Sequence, residues 1–351
     1  MTQVDLITGF LGAGKTTFLL EYAKELARRG ERIGIIENDY GAINVDLLLL
    51  HRELGDSCRL EMVIGGDPDC HRRRLKTKLI AMGVDRYDRV LVEPSGIFDV
   101  DEFLDLLYEE PLERLMSLGN VIAVVDAEAA LTQAGQGDRI APTADASDKV
   151  DVETGLHRDS AETRYVLAEE LTKAGCVVFS KAESLSGKDL SLVTEYLNAC
   201  LEEIGCRRKL TDAEILRKKA EGLMAEDFDR LLAAGSRDYA YVKRTVLSEG
   251  EFRSVFFFHP VLPEGDPSEL LRRIFEDPLC GKLARIKGFT LSDPSGDGTK
   301  EAPWLEINAT REKVELRPSP VGQPVIIAIG ENLDESRIGS YWASYENEYR
   351  G

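Results

Sequence analysis

The sequence is short of cysteine, of positive charge and of long apolar runs, and each shortage excludes a class of protein. Six cysteines, Cys58, Cys70, Cys176, Cys200, Cys206 and Cys280, spread over 351 residues are too sparse for a disulfide framework. All are expected to be reduced, with Cys176 and Cys200, set in apolar patterns, in the core. Lys and Arg number 44 against 63 Asp and Glu, a formal charge of −19, which argues against an electrostatic surface for nucleic acid or an anionic membrane. The one dense basic run, Arg72-Arg73-Arg74 with Lys76 and Lys78, reads as a solvated helix face. No apolar stretch approaches the ~20 residues of a membrane span, and Met1 leads straight into a strand pattern without a cleavable signal, so a cytoplasmic location is expected. His51, His157 and His259 have no partner at ligand spacing and read as structural or surface residues.

What is present is a phosphate-binding loop. The apolar run Val4 to Thr8 is followed by Gly9-Phe10-Leu11-Gly12-Ala13-Gly14-Lys15-Thr16-Thr17 and then by a helical pattern. The spacing of Gly9, Gly12, Ala13 and Gly14 lets successive backbone N–H groups curl around a phosphate. Lys15 then reaches the terminal phosphates, the Thr16 hydroxyl ligates magnesium, and Thr17 continues into the helix. The positive N-terminal end of that helix faces the same anion. A bound nucleoside triphosphate is the expectation.

The pattern around the loop is α/β. Phe18 to Arg29 places Leu19, Tyr22, Ala23 and Leu26 on one face, and Gly30 stops the helix. Buried strands are expected at Arg32–Glu37, Leu60–Ile64, Asp88–Glu93, Asn120–Asp126 and Cys176–Ser180. Gly65 to His71 reads as a tight turn before the basic helix, which runs to about Met82. Strands alternating with helices imply a doubly wound, mostly parallel sheet that gathers its ligands at the carboxyl ends of the strands. The polar segments Asn38 to Asp46 and Glu93 to Gly96 fall there.

Residues 132–160 read as an exposed loop insertion, and Ser186 to Ile204 as the last helix of the first domain. Since single cores stop growing at roughly 250–300 residues, two domains are expected. These are a P-loop NTPase domain over 1–205, a charged helical connector over 206–240 opened by Thr211-Asp212-Ala213-Glu214, and a smaller α+β domain over 241–351. In the last, strands are expected at Arg253–Phe258, Leu283–Leu291, Trp304–Asn308, Val314–Leu316 and Val325–Ile329, with a helix at Ser268–Phe275.

Taken together the motifs resemble the CobW-like GTPases, relatives of the GTPases that mature urease and hydrogenase. The likeness rests on Gly9 to Thr17, on Asn38-Asp39-Tyr40-Gly41 with Asp46, on Glu93-Pro94-Ser95-Gly96, on Ser180-Lys181-Ala182-Glu183 in the base-reading place, and on Arg285-Ile286-Lys287-Gly288-Phe289 with Ile329-Gly330. The resemblance implies a nucleotide-driven metallochaperone: GTP with Mg2+, and a client metalloprotein or cofactor-dependent enzyme. It implies neither nucleic acid nor membrane as partner, and leaves a homodimer open. It places Lys15, Thr16, Asp39 and Glu93 in catalysis, with Thr16 and Glu93 on magnesium, and Ser180, Lys181 and Glu183 at the base.

Two departures from the family pattern bear on chemistry. The base-reading motif is Asn-Lys-x-Asp in the family and Ser180-Lys181-Ala182-Glu183 here. A carboxylate acceptor still suits guanine, because adenine's N1 acceptor would face it unpaired at a cost of about 1–3 kcal/mol. The metal loop is Gly-Cys-x-Cys-Cys in the family and Gly66-Asp67-Pro68-Asp69-Cys70, followed by His71, here. Either that site is lost, or it survives as Asp67, Asp69, Cys70 or His71 with Glu37, a harder set than three thiolates for Zn, Co or Ni. The alternatives are a GTP-controlled binding switch without its own metal site and an ATP-using kinase-like transferase.

Overall fold

The strand β1 (Thr2–Thr8) is buried along most of its length and sits at the centre of a seven-stranded sheet. In this computed structural model the description covers all residues except 11, 40–44, 56–57, 65–67, 95–99, 137–160, 244–251, 292–302, 312, 321 and 347–351. The chain divides into two compact units. The first comprises Met1–Asn38, Glu53–Val63 and Asp67–Val246, and the second Asp39–Arg52, Ile64–Gly66 and Leu247–Gly351.

From β1 the chain runs through α1 (Lys15–Arg28), β2 (Ile33–Asp39), α2 (Val45–Leu54), β3 (Cys58–Ile64), α3 (Pro68–Val84) and β4 (Arg89–Glu93). It continues with α4 (Val100–Leu107), α5 (Leu112–Leu115), β5 (Met116–Asp126), α6 (Ala127–Gln136), α7 (Ala161–Lys173), β6 (Cys176–Ser180), α8 (Gly187–Glu203), β7 (Ile215–Leu216) and α9 (Ala225–Leu232). The sheet order is β3-β2-β4-β1-β5-β6-β7, and the pairs of β1 with β4 and β5, of β2 with β4, of β5 with β6 and of β6 with β7 are all parallel. The order reverses at β1, which puts the loop after β1 at the switch point where open α/β sheets bind ligands.

Local chemistry accounts for the element ends. Phe18, Leu19, Tyr22, Ala23 and Leu26 form the buried stripe of α1, and Gly30 follows its last turn at φ 88°. Ser186 caps α8 in a reciprocal box, its side chain accepting from the Asp189 N–H while the Asp189 carboxylate accepts from the Ser186 N–H. The basic face of α3 pairs with acids: Arg72 and Lys76 with Glu109 at 2.6 and 2.7 Å, Lys78 with Glu61 at 2.5 Å.

The second unit contains β8 (Phe252–Val261), α10 (Pro267–Glu276), β9 (Lys282–Leu291), β10 (Trp304–Ala309), β11 (Val314–Ser319), β12 (Val325–Glu331), α11 (Glu335–Gly339) and β13 (Ser344–Glu346). Its antiparallel sheet has the order β11-β10-β9-β12-β8-β13. Phe257, Leu271, Ile274, Ile286, Ile307 and Ile326 belong to a core of their own. The Gly288 of the Arg-Ile-Lys-Gly-Phe segment has φ 149°, and a Cβ there would lie 2.1 Å from the Val325 carbonyl on the neighbouring strand, so only glycine lets β9 and β12 close up.

The architecture is the expected α/β nucleotide-domain fold with a smaller α+β unit, with four differences in detail. Residues 206–240 are not a helical connector. They lie within the first unit, where β7 joins the sheet edge and α9 is one short helix. The Gly235 carbonyl accepts from Val121 N–H at 3.0 Å, and Gly235 N–H donates to Asn120 Oδ1 at 2.8 Å. The turn expected through His71 ends sooner, because proline at the first helical position starts α3 at Pro68. Residues 132–136, expected in the loop insertion, are the end of α6; residues 137–160 lie outside the described residues. Helix α2 occupies Val45–Leu54, where only a polar segment up to Asp46 was anticipated.

Candidate functional site

The site is built from the carboxyl ends of the parallel strands. After β1 the backbone turns back on itself: Gly9 has φ 148°, and a Cβ there would stand 2.3 Å from the Val124 carbonyl, so the loop can leave β1 beside β5 only as glycine. Gly12 and Gly14 are also left-handed, and Ala13 N–H closes onto the Phe10 carbonyl at 3.1 Å. Gly14 is the N-cap of α1, which has no side-chain cap and no acid in its first turn. Its first N–H groups therefore face the loop without an internal acceptor, the arrangement that binds phosphate.

Lys15 is buried, and its ammonium donates to the Gly9 carbonyl at 2.9 Å. The Thr16 hydroxyl donates to Glu93 Oε1 at 3.0 Å. Glu93 closes β4 at 6% exposure, and the register of β2 against β4 sets Glu37, at 3% exposure, directly opposite it. Thr16 and Glu93 together offer oxygen donors only, a set that suits Mg2+. Thr17 is exposed.

At the end of β6, Ser180 Oγ donates to the Ala13 carbonyl at 2.6 Å, which ties this strand to the phosphate loop. The next residue, Lys181, has φ 50° and pairs with Asp126 at the end of β5. Ser184 donates to Glu128 at 2.6 Å, and Glu183 is exposed on the turn between them.

The structure thus brings Gly9, Ala13, Gly14, Lys15, Thr16, Glu93 and Ser180 together around one loop, while Glu183 stands on a separate turn. Asp39 ends β2, its side chain outside the described residues, as is all of Asp67. Asp69, Cys70 and His71 have helical backbone in the first turn of α3, and their side chains are likewise not described. Among the described residues there is no cluster of three or more His, Cys, Asp or Glu side chains able to hold a metal. Cys58, Cys176, Cys200, Cys206 and Cys280 are buried and in no disulfide, and burial pushes the Cys176 thiol up to about 11 and the Cys280 thiol up to about 12, which leaves those two unreactive.

Three further residues were not anticipated. Asp126 closes β5 and holds Lys181. The Tyr241 hydroxyl lies 2.6 Å from Glu169 Oε1 and 2.8 Å from Asp101 Oδ2 and has one proton to share between them, linking α7 and α4. Glu170 on α7 is fully buried behind the phosphate loop, and Lys15 acts on it electrostatically. The signal for the last was the acid pair Glu169-Glu170 inside the apolar stretch from Tyr165 to Leu171.

The chain is 33% identical over 156 residues to the zinc chaperone YjiA of Escherichia coli, a match covering 39% of this chain and 47% of that protein. It is 26% identical over 299 residues to the zinc chaperone CobW of Pseudomonas aeruginosa, covering 82% of this chain and 76% of that one. The match thus spans about half the length of the first relative. The crystal structure of the Zn(II)-bound YjiA GTPase from E. coli aligns over 97% of both chains at 18% identity, with a TM-score of 0.35. Residues 3–205 match the model of the CobW/HypB/UreG nucleotide-binding domain, and the chain belongs to that family.

Proposed function

We propose that the protein binds and hydrolyses GTP with Mg2+ and uses the cycle to hand a metal ion or metallocofactor to a client protein in the cytoplasm. The observation that carries this reading is the loop itself: Lys15 held at the Gly9 carbonyl and Thr16 held 3.0 Å from Glu93, at the uncapped start of α1. The relatives' description as zinc chaperones supports the metal-delivery half of it. The client is a metalloprotein or cofactor-dependent enzyme.

In the reaction, water attacks the γ-phosphorus and the bond to the β-phosphate oxygen breaks, leaving GDP and inorganic phosphate. The loop amides and the N-terminal N–H groups of α1 bind the phosphate oxygens. Lys15 leaves the Gly9 carbonyl for the terminal phosphates and stabilises charge that grows there in the transition state. Thr16 and Glu93 would hold Mg2+, which would supply further neutralisation of charge on the phosphates. Glu93 or Asp39 orients the attacking water. Because a substrate's γ-phosphate favours one arrangement of these groups and GDP another, hydrolysis can drive release of a metal only by differential contact with the two states.

Guanine is the base that suits the exposed carboxylate of Glu183, which accepts from the N1 and N2 hydrogens. Glu183→Ala should weaken GTP binding by about 1.5–3 kcal/mol, the range for a hydrogen bond to a charged group, and leave ATP binding unchanged or improved. Titration with fluorescent GTP and ATP analogues reads this out. Equal affinity of the unsubstituted protein for the two nucleotides would contradict it.

A further inference from the structure

Helix α7 carries an acid with no part in the reading above. Glu170 is 1% exposed, and neither carboxylate oxygen has a hydrogen-bond partner. Thr8, which ends β1, is 0% exposed, and its hydroxyl oxygen is likewise without a partner. The groups that act on the Glu170 carboxyl are the Lys15 ammonium of the phosphate loop, the Thr8 hydroxyl and Gly9 N–H at the end of β1, and the Glu169 carboxylate on its own helix. Two buried polar side chains thus meet directly behind the residue where the loop begins.

A carboxylate buried this deeply is costly even with the Thr8 hydroxyl, the Gly9 N–H and the Lys15 ammonium beside it, and the ordinary relief is to take up a proton. Burial pushes the Glu170 carboxyl up to about 8, against the pull of Lys15, the Thr8 hydroxyl and the Gly9 N–H. With its proton on, the cluster can satisfy itself. The carboxyl O–H could then donate to the Thr8 hydroxyl oxygen and the other oxygen accept from Gly9 N–H, which would hold the junction of β1 and the loop.

We propose that Glu170 is a positioning residue of the phosphate loop whose carboxyl must carry a proton when nucleotide phosphates occupy the loop. The proposal rests on the nucleotide-binding reading. Binding places several negative charges in front of the loop and draws Lys15 from the Gly9 carbonyl toward them. Both changes disfavour a carboxylate behind the loop. Nucleotide binding to the ionised protein therefore transfers one proton from solvent to Glu170, with no other bond made or broken.

The test is GDP binding without magnesium at pH 7 and pH 9, for the unsubstituted protein and for Glu170→Gln, the neutral shape-mimic. If only the protonated form binds and the free carboxyl titrates at about 8, affinity falls about tenfold between the two pH values. Glu170→Gln should show no such fall beyond that of GDP itself, and at pH 7 should bind nearly as well as the unsubstituted chain. Calorimetry of the unsubstituted protein at pH 8, in buffers of different ionisation enthalpy, should show uptake of up to about half a proton. That measurement decides the matter even if Glu170→Gln does not fold. Equal pH slopes in the two proteins, or no proton uptake, would overturn the proposal while leaving nucleotide binding intact. No GDP binding at either pH would remove the nucleotide reading and this inference with it.

Discussion

Ser180 Oγ donates to the Ala13 carbonyl at 2.6 Å, so the strand that leads to the turn carrying Glu183 is bonded to the phosphate loop. A Cβ on Gly14 would sit 3.6 Å from the Ser180 Cβ, which shows how closely the two segments approach. Ser180→Ala removes the donor and leaves the Ala13 carbonyl without it. We expect a loss of about 1 kcal/mol in stability, and GDP affinity lower by about fivefold as the loop relaxes. Urea unfolding and GDP titration check both. Unchanged values would mean the bond positions nothing.

Beneath the site a buried polar network joins β1, β4 and β5. Asp5, 0% exposed, accepts from Tyr22 O–H at 2.7 Å, Arg89 Nη1 at 2.8 Å and Asn120 N–H at 2.7 Å; Arg89 also pairs with Glu31 at 2.9 Å. Replacing the acid by Leu leaves the Arg89 guanidinium buried beside an apolar group, and breaking such a pair from one side costs about 3–5 kcal/mol. Chemical denaturation of Asp5→Leu measures this. A loss below about 1 kcal/mol would show that Arg89 finds water instead.

What could be read from the sequence followed the strength of the local signal. β1, β4 and β6 are short runs of Val, Ile, Leu and Phe buried on both faces, and they were found nearly to the residue. Ser186 with Asp189 marked the start of α8 for the same reason: the cap chemistry is in the residues themselves. By contrast β7 has only two residues, and what makes it a strand is the pairing of Ile215 and Leu216 with Val177 and Val178, which no local pattern announces. The charged stretch around it looked helical, but its acids and bases pair across turns, as Lys218 does with Asp227 at 2.7 Å. At the site, the glycine spacing exposed the phosphate loop. Ser180, named for a base, touches that loop, and Glu170 was missed because helix α7 is buried along its whole second half and shows no polar face, which left the acid pair Glu169-Glu170 inside an apolar stretch as its one signal.

The segment from Asp67 to His71 carries the question of the metal. If a site survives there with Glu37, its carboxylates with one thiol or one imidazole should bind zinc less tightly than three thiolates would, and release protons on binding. Affinity should then fall as pH drops through the histidine range, near about 6.5 for an unperturbed imidazole. Calorimetric titration of zinc, cobalt, nickel and manganese into the GDP and GTP-analogue forms should give stoichiometric binding that differs between the two nucleotides. Binding unchanged by combined Asp69→Ala and Cys70→Ala substitution would mean the ion sits elsewhere.

The most direct test of the nucleotide account is phosphate release from GTP by the unsubstituted protein and by Lys15→Ala. Lys15, now 2.9 Å from the Gly9 carbonyl, is the cation placed to meet charge growing on the phosphates. Its loss should cut turnover at least ~100-fold, about 2.7 kcal/mol or more of transition-state stabilisation. Wild-type-like turnover in Lys15→Ala, in a protein whose circular dichroism and unfolding midpoint are unchanged, would contradict the assignment of this loop to hydrolysis.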